Sequence, residues 1–132
     1  DVVAGVRVTG ERGRAGEMRP VIDTVDLLLD LHSMQNVCPP LMLCGEHQKG
    51  KDLGMALGAP EYVVSDAGHA AGTRMRDYGP FGDSQAPQNS LLLEAGQHWE
   101  ASSVPVTMDV TLRFLRHTGA IDEAFFAAHH TP

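Results

Sequence analysis

The chain has 132 residues, 42% of them hydrophobic, which suits one domain with its own core and is too apolar for a disordered tail. Ten basic residues against seventeen acidic ones leave a formal charge of −7, and the basic residues are scattered, which argues against a nucleic-acid surface. The two cysteines, Cys38 and Cys44, are too few for a disulfide framework and lack CxxC spacing, and no apolar run nears the ~20 residues of a membrane span.

The opening Asp1-Val2-Val3 has neither an initiator Met nor a signal-peptide pattern. This predicts residues upstream and, with so few cysteines, a cytoplasmic setting. Glu11 to Val21 carries helix formers and a charged face, although Gly13 and Gly16 weaken it and Pro20 strains its end. Val25 to Leu31 is a mostly apolar run leading into His32-Ser33, the pattern of a buried strand. Pro39-Pro40 breaks the chain before a short strand at Leu41 to Cys44. Lys49 to Leu57 then reads as a helix stopped by Gly58, and Tyr62 to Ser65 as a third strand.

From Asp66 to Ser90 glycine, proline and polar residues dominate. A loop of that length in a compact domain is commonly functional. Leu91-Leu92-Leu93 is a fourth buried strand, ending at Glu94. Ser102 or Ser103 caps a helix to about His117, with Pro105 in its first turn and Gly119 as its stop; a short helix from Ile121 to Ala128 follows. The alternation predicts an α/β fold, with a mixed or mostly parallel sheet flanked by helices.

Ligands in such sheets sit at the carboxyl ends of strands, and two of those ends carry chemistry. At the first, a histidine closing a greasy strand, His32, serves either as a metal ligand or as a hydrogen-bonded core residue. At the second, Glu94 follows three leucines, where a carboxylate is costly unless exposed or paired. It is either a proton acceptor beside a metal-bound water or a residue leaving the sheet into solvent. Gly96 would let the backbone pass close to a ligand. A catalytic zinc wants three protein ligands, and no HxxE, HxxxH or HxH spacing occurs; His47, His69 and His98 are isolated, and His129-His130 reads as a solvated tail.

The segment Glu11 to Pro20 followed by Asp26-Leu27-Leu28-Leu29-Asp30-Leu31-His32-Ser33, then Leu93-Glu94-Ala95-Gly96-Gln97-His98-Trp99, resembles the succinylglutamate desuccinylase/aspartoacylase family. The helix from Val106 to His117 followed by Gly119 is similar to what comes next in that family, so the resemblance runs from Glu11 to about Phe125. It implies a zinc-carboxypeptidase-like fold and hydrolysis of the amide of N-acyl amino acids. By position, His32 takes the role of a zinc ligand and Glu94 that of the general base. The family's other two zinc ligands come from a G-x-H-G-N-E motif, and a D-L-N-R arginine motif helps to bind substrate; neither is in these 132 residues. The resemblance therefore implies that residues 1–132 are part of one zinc-hydrolase catalytic domain, its C-terminal half, and that the fold is incomplete.

Substrate carboxylates favour arginine, so Arg76 and Arg74, with Tyr78 and His69, are the substrate-facing candidates of the long loop, Arg76 ahead of Arg74; solvated loop arginines are the alternative. Trp99 is assigned to packing. Three other readings stand beside the deacylase: a non-catalytic remnant that binds an acidic metabolite, an assembly domain with the helix from Val104 to Arg116 between copies of a homo-oligomer, and a thiol enzyme using Cys38 or Cys44, with Cys38 lining the His32 crevice.

Overall fold

Leu91, Leu92 and Leu93 project alternately to the two faces of a strand, so the run is stable only where both faces are covered. The computed structural model, which describes residues 10–68 and 72–131, gives them that setting. Its elements in chain order are α1 (Gly10–Ile22), β1 (Leu27–Met34), β2 (Leu41–Leu43), α2 (Gln48–Leu57), β3 (Tyr62–Val64), β4 (Asn89–Gln97), α3 (Ser103–His117) and α4 (Glu123–His129). Two 3-10 turns, Met75–Asp77 and Gly79–Gly82, shape the long loop before β4. The strands make one mixed sheet in the order β1-β4-β2-β3. Strand β4 runs parallel to β1 and antiparallel to β2, and β2 runs parallel to β3. The expected α/β fold is thus the observed one.

One face of the sheet carries the core. Met42, Leu91, Leu93 and Ala95 pack with Leu53 and Leu57 of α2 and with Val110 and Phe114 of α3. Gly54 brings α2 down onto the sheet, since a Cβ there would lie 2.9 Å from Val63 Cγ1. The opposite face, which carries Asp30, His32, Leu92 and Glu94, meets the loop and its first 3-10 turn.

That loop is tied down by charge. The Lys49 ammonium, at the start of α2, donates to the carbonyls of Pro80 (3.0 Å), Asp83 (2.6 Å), Ala86 (3.2 Å) and Gln88 (2.6 Å). Desolvation lowers its pKa below the ordinary lysine value, against the opposing pull of Asp83.

Two expectations need correction. Strand β4 does not end at Glu94; it runs on to Gln97, with Glu94 well inside it. The Gly96 φ of 114° accompanies the register shift between His32 and Met34, and a Cβ there would lie 3.3 Å from Ser103 Oγ. His130 is no solvated tail: its side chain is 15% exposed, its Nε2 meets Asp109 Oδ1, and its ring stacks on Phe126 at 4.5 Å. Asp109 also receives Arg113 Nε at 2.7 Å, so the pair docks α4 onto α3.

Helix α1 forms despite Gly13, Gly16 and Pro20. It touches the body lightly: Tyr78 OH donates to Asp23 Oδ1 at 2.9 Å, and the Arg19 guanidinium sits 5.6 Å from the Tyr78 ring centroid.

Two glycines in helices separate packing from propensity. A Cβ at Gly50 would sit 2.0 Å from the Cys44 carbonyl oxygen, whereas one at Gly16 meets nothing within 4 Å. Gly50→Ala is expected to lower the urea midpoint clearly. Gly16→Ala is expected to raise stability by about 0.5–1 kcal/mol through helix propensity alone.

Candidate functional site

The parallel pairing of β1 with β4 places His32 directly opposite Glu94, and Asp30 opposite Leu92. Partners in register on neighbouring strands lie about 4.8 Å apart and project to the same face. His32, Glu94 and Asp30 therefore converge on one cleft of about 430 Å³, closed on its other side by Gly72, Thr73, Arg74 and Met75 of the loop.

The cleft is electrostatically uneven. His32 Nε2 lies 3.1 Å from Asp30 Oδ1, and its side chain is half-exposed. Glu94 is only 9% exposed, and among the described residues its Oε2 has no hydrogen-bond partner. Burial pushes its carboxyl above the ordinary glutamate value, and the nearby His32, Arg74 and His98 oppose that rise. A buried carboxylate oxygen with no partner is expensive and rare in folded proteins. Its placement at the cleft gives it the freedom to take a ligand or a proton.

The loop candidates separate in space. Arg74 lines the cleft and reaches Asp66 Oδ2 at 3.3 Å. Arg76, expected ahead of it, is 1% exposed. It pairs with Asp66 and, through Nε and Nη2, with both oxygens of Asp77, while Ser90 Oγ donates to its carbonyl at 2.6 Å. Its guanidinium is already taken up by carboxylates and faces a different cavity of about 440 Å³ shared with Cys44 and His47. Arg76 is thus placed as a clamp of the loop rather than in the cleft. Tyr78 faces an adjoining groove beside α1. His69 lies outside the described residues.

Asp30 was missed by the sequence reading, although its signal was available: two residues before His32 in a strand puts it on the same face. Ser33 and His98 were also missed as a pair. Ser33 Oγ and His98 Nδ1 are 2.7 Å apart and bridge β1 to the end of β4 just past the bulge. Trp99, assigned to packing, is 101% exposed and holds a left-handed φ of 71°. Cys44 is buried, and burial pushes its thiol up, against the pull of Lys51 and Arg76, so it is poorly disposed to act as a nucleophile. Cys38 is not among the residues that line the cleft.

A catalytic zinc needs three protein donors and an open position. His32 has the chemistry of one such donor. Among the described residues, however, no group of three or more His, Cys, Asp or Glu side chains is placed to hold a metal ion, so the set is incomplete. Among the same residues no helix is long and apolar enough to cross a membrane. Comparisons of the chain with protein-family models, curated proteins and solved structures found no match.

Two outcomes test this geometry. Because folding raises the Glu94 pKa, the folded state prefers the protonated acid; stability from that preference is present below the ordinary glutamate value and is lost as pH rises through the folded value. In a chelator-containing buffer Glu94→Gln is therefore expected to be more stable than the parent at pH 7, with the difference shrinking towards pH 4, as read from urea midpoints. Arg76→Met leaves Asp66 and Asp77 without their shared cation and is expected to cost about 2–3 kcal/mol. Arg74→Met is expected to cost well under half of that in the same titration.

Proposed function

We propose that the chain carries part of the active site of a zinc-dependent hydrolase that cleaves the amide bond of an N-acyl amino acid or a related compound. The observation that carries this reading is the register pairing of His32 with Glu94, on adjacent parallel strands, with Glu94 lining the same cleft and its Oε2 buried and, among the described residues, unpartnered. His32 would be one metal ligand, and the remaining donors would come from outside the described residues. Zinc, when bound, supplies Lewis acidity and a more acidic water.

The other roles belong to this chain. Glu94, with its raised pKa, is suited to accept a proton from water and to hold it long enough to pass it to the leaving amine. Asp30 holds the His32 ring by its Nε2 until another partner takes that nitrogen. Arg74, which lines the cleft, would be the cation that binds a substrate carboxylate. A cytoplasmic setting belongs to the same proposal. The absence of a three-donor group among the described residues favours a second reading, a metabolite-binding remnant that uses the cleft without chemistry.

The test combines elemental analysis with a panel of N-acetyl and N-succinyl amino acids. Near-stoichiometric zinc, lost in His32→Ala and retained in Glu94→Gln, is the expected pattern. Turnover is expected to fall about 10²–10⁴-fold in Glu94→Gln. If zinc cannot be loaded and no compound is cleaved, the metabolite-binding reading replaces the hydrolase.

A further inference from the structure

The cleft does not end at Arg74. Asp30, His32, Thr73, Arg74 and Met75 also line a groove of about 1130 Å³ that runs on between the loop and α1. Its α1 wall presents Ala15, Met18 and Ile22, three and four residues apart and so on one side of the helix, opposite Met75 and Tyr78. The groove exceeds the ~300–1,000 Å³ typical of small-molecule sites, so an acetyl or succinyl group would leave most of it empty.

The charge along the groove is specific. Three of the ten basic residues of a chain with net charge −7 line it: Arg14, Arg19 and Arg74. Arg14 is paired with Glu17 at 2.8 Å and Arg74 with Asp66. Arg19 lies over the Tyr78 ring and, among the described residues, forms no ion pair. The groove's own acids are engaged, Asp30 with His32 and Asp77 with Arg76. An apolar trough edged by arginines and continuous with a reactive cleft suits an anionic amphiphile.

We infer that the ligand of this site is an N-acyl amino acid with a long unbranched acyl chain, its carboxylate held at Arg74 and its chain laid along Met18, Ile22 and Met75. The assignment rests on the proposed amide-hydrolase reading for the position of the scissile bond, while the groove itself is tested by binding alone.

The experiment is calorimetric titration of the full chain, in chelator and below micelle-forming concentrations, with N-hexanoylglycine and N-dodecanoylglycine. Burial of each added methylene is expected to tighten binding roughly fourfold until the groove is filled, so the longer ligand should bind at least about 100-fold more tightly. Met18→Asp should weaken N-dodecanoylglycine at least about tenfold. Val21→Asp, on the same helix but outside the groove and 63% exposed, should leave it unchanged. Equal affinity for the two ligands, or equal loss in both variants, overturns the assignment. Chain-length-dependent binding in chelator, with no cleavage of any N-acyl compound once zinc is supplied, defeats the hydrolase reading and leaves the groove assignment intact. Cleavage of short N-acyl compounds with no chain-length dependence does the reverse.

Discussion

Burial of β4 on both faces is the constraint on which the rest of the structure depends. Leu91, Leu92 and Leu93 are essentially without solvent contact, and burial of each such side chain contributes about 1.5–3 kcal/mol relative to exposure. Helices α2 and α3 cover the Leu91 and Leu93 side of the sheet with apolar side chains. Among the described residues no helix packs flat against the other side. A glycine-rich loop covers Leu92, and a loop has little apolar surface of its own to hold it in place. It is held by ions and hydrogen bonds: Arg76 between Asp66 and Asp77, the Arg76 carbonyl on Ser90, and Lys49 among four carbonyls.

The same arrangement creates the chemistry of the cleft. Glu94 follows the leucines on the loop-covered face, so the cover that keeps water from Leu92 also strips water from the carboxylate. The loop delivers Arg74 to the cleft wall and keeps Arg76 two residues away beneath its own carboxylates. A hydrophobic requirement of the strand and a raised proton affinity at Glu94 within it are thus one physical fact seen at two residues. The bulge at Gly96 and the Ser33–His98 contact follow immediately and keep β1 and β4 aligned where His32 and Glu94 face each other.

Much of the architecture was legible because it rests on local patterns. The apolar runs at Leu27 and Leu91, the Gly58 stop after Leu57 and the Gly119 stop after α3 announce strands and helix ends through burial and backbone conformation. The His32 and Glu94 positions were legible as chemical residues at the ends of apolar runs, but their direct opposition was not, since register is a relation between strands 62 positions apart in sequence. The choice between Arg74 and Arg76 was illegible for a similar reason. Alternate residues around a 3-10 turn point different ways, and only the location of Asp66 and Asp77 determines which guanidinium is consumed. His130 looked like a tail because its partner, Asp109, lies 21 residues earlier on another helix. Trp99 reversed its expectation: it is fully exposed, on a left-handed backbone at the turn that follows β4.

The environment of Lys49 has the form of a coordination shell. Four carbonyl oxygens at 2.6 to 3.2 Å gather around one positive centre, the kind of oxygen cage that elsewhere holds a free monovalent cation. Here the cation is covalently attached to the protein, so it cannot be diluted away, exchanged for sodium or removed by dialysis. The shape of the segment from Pro80 to Gln88 therefore rests on a cation that exchange with the surroundings cannot remove. It depends on the amine keeping its proton, and acylation of that single nitrogen would dismantle the cage.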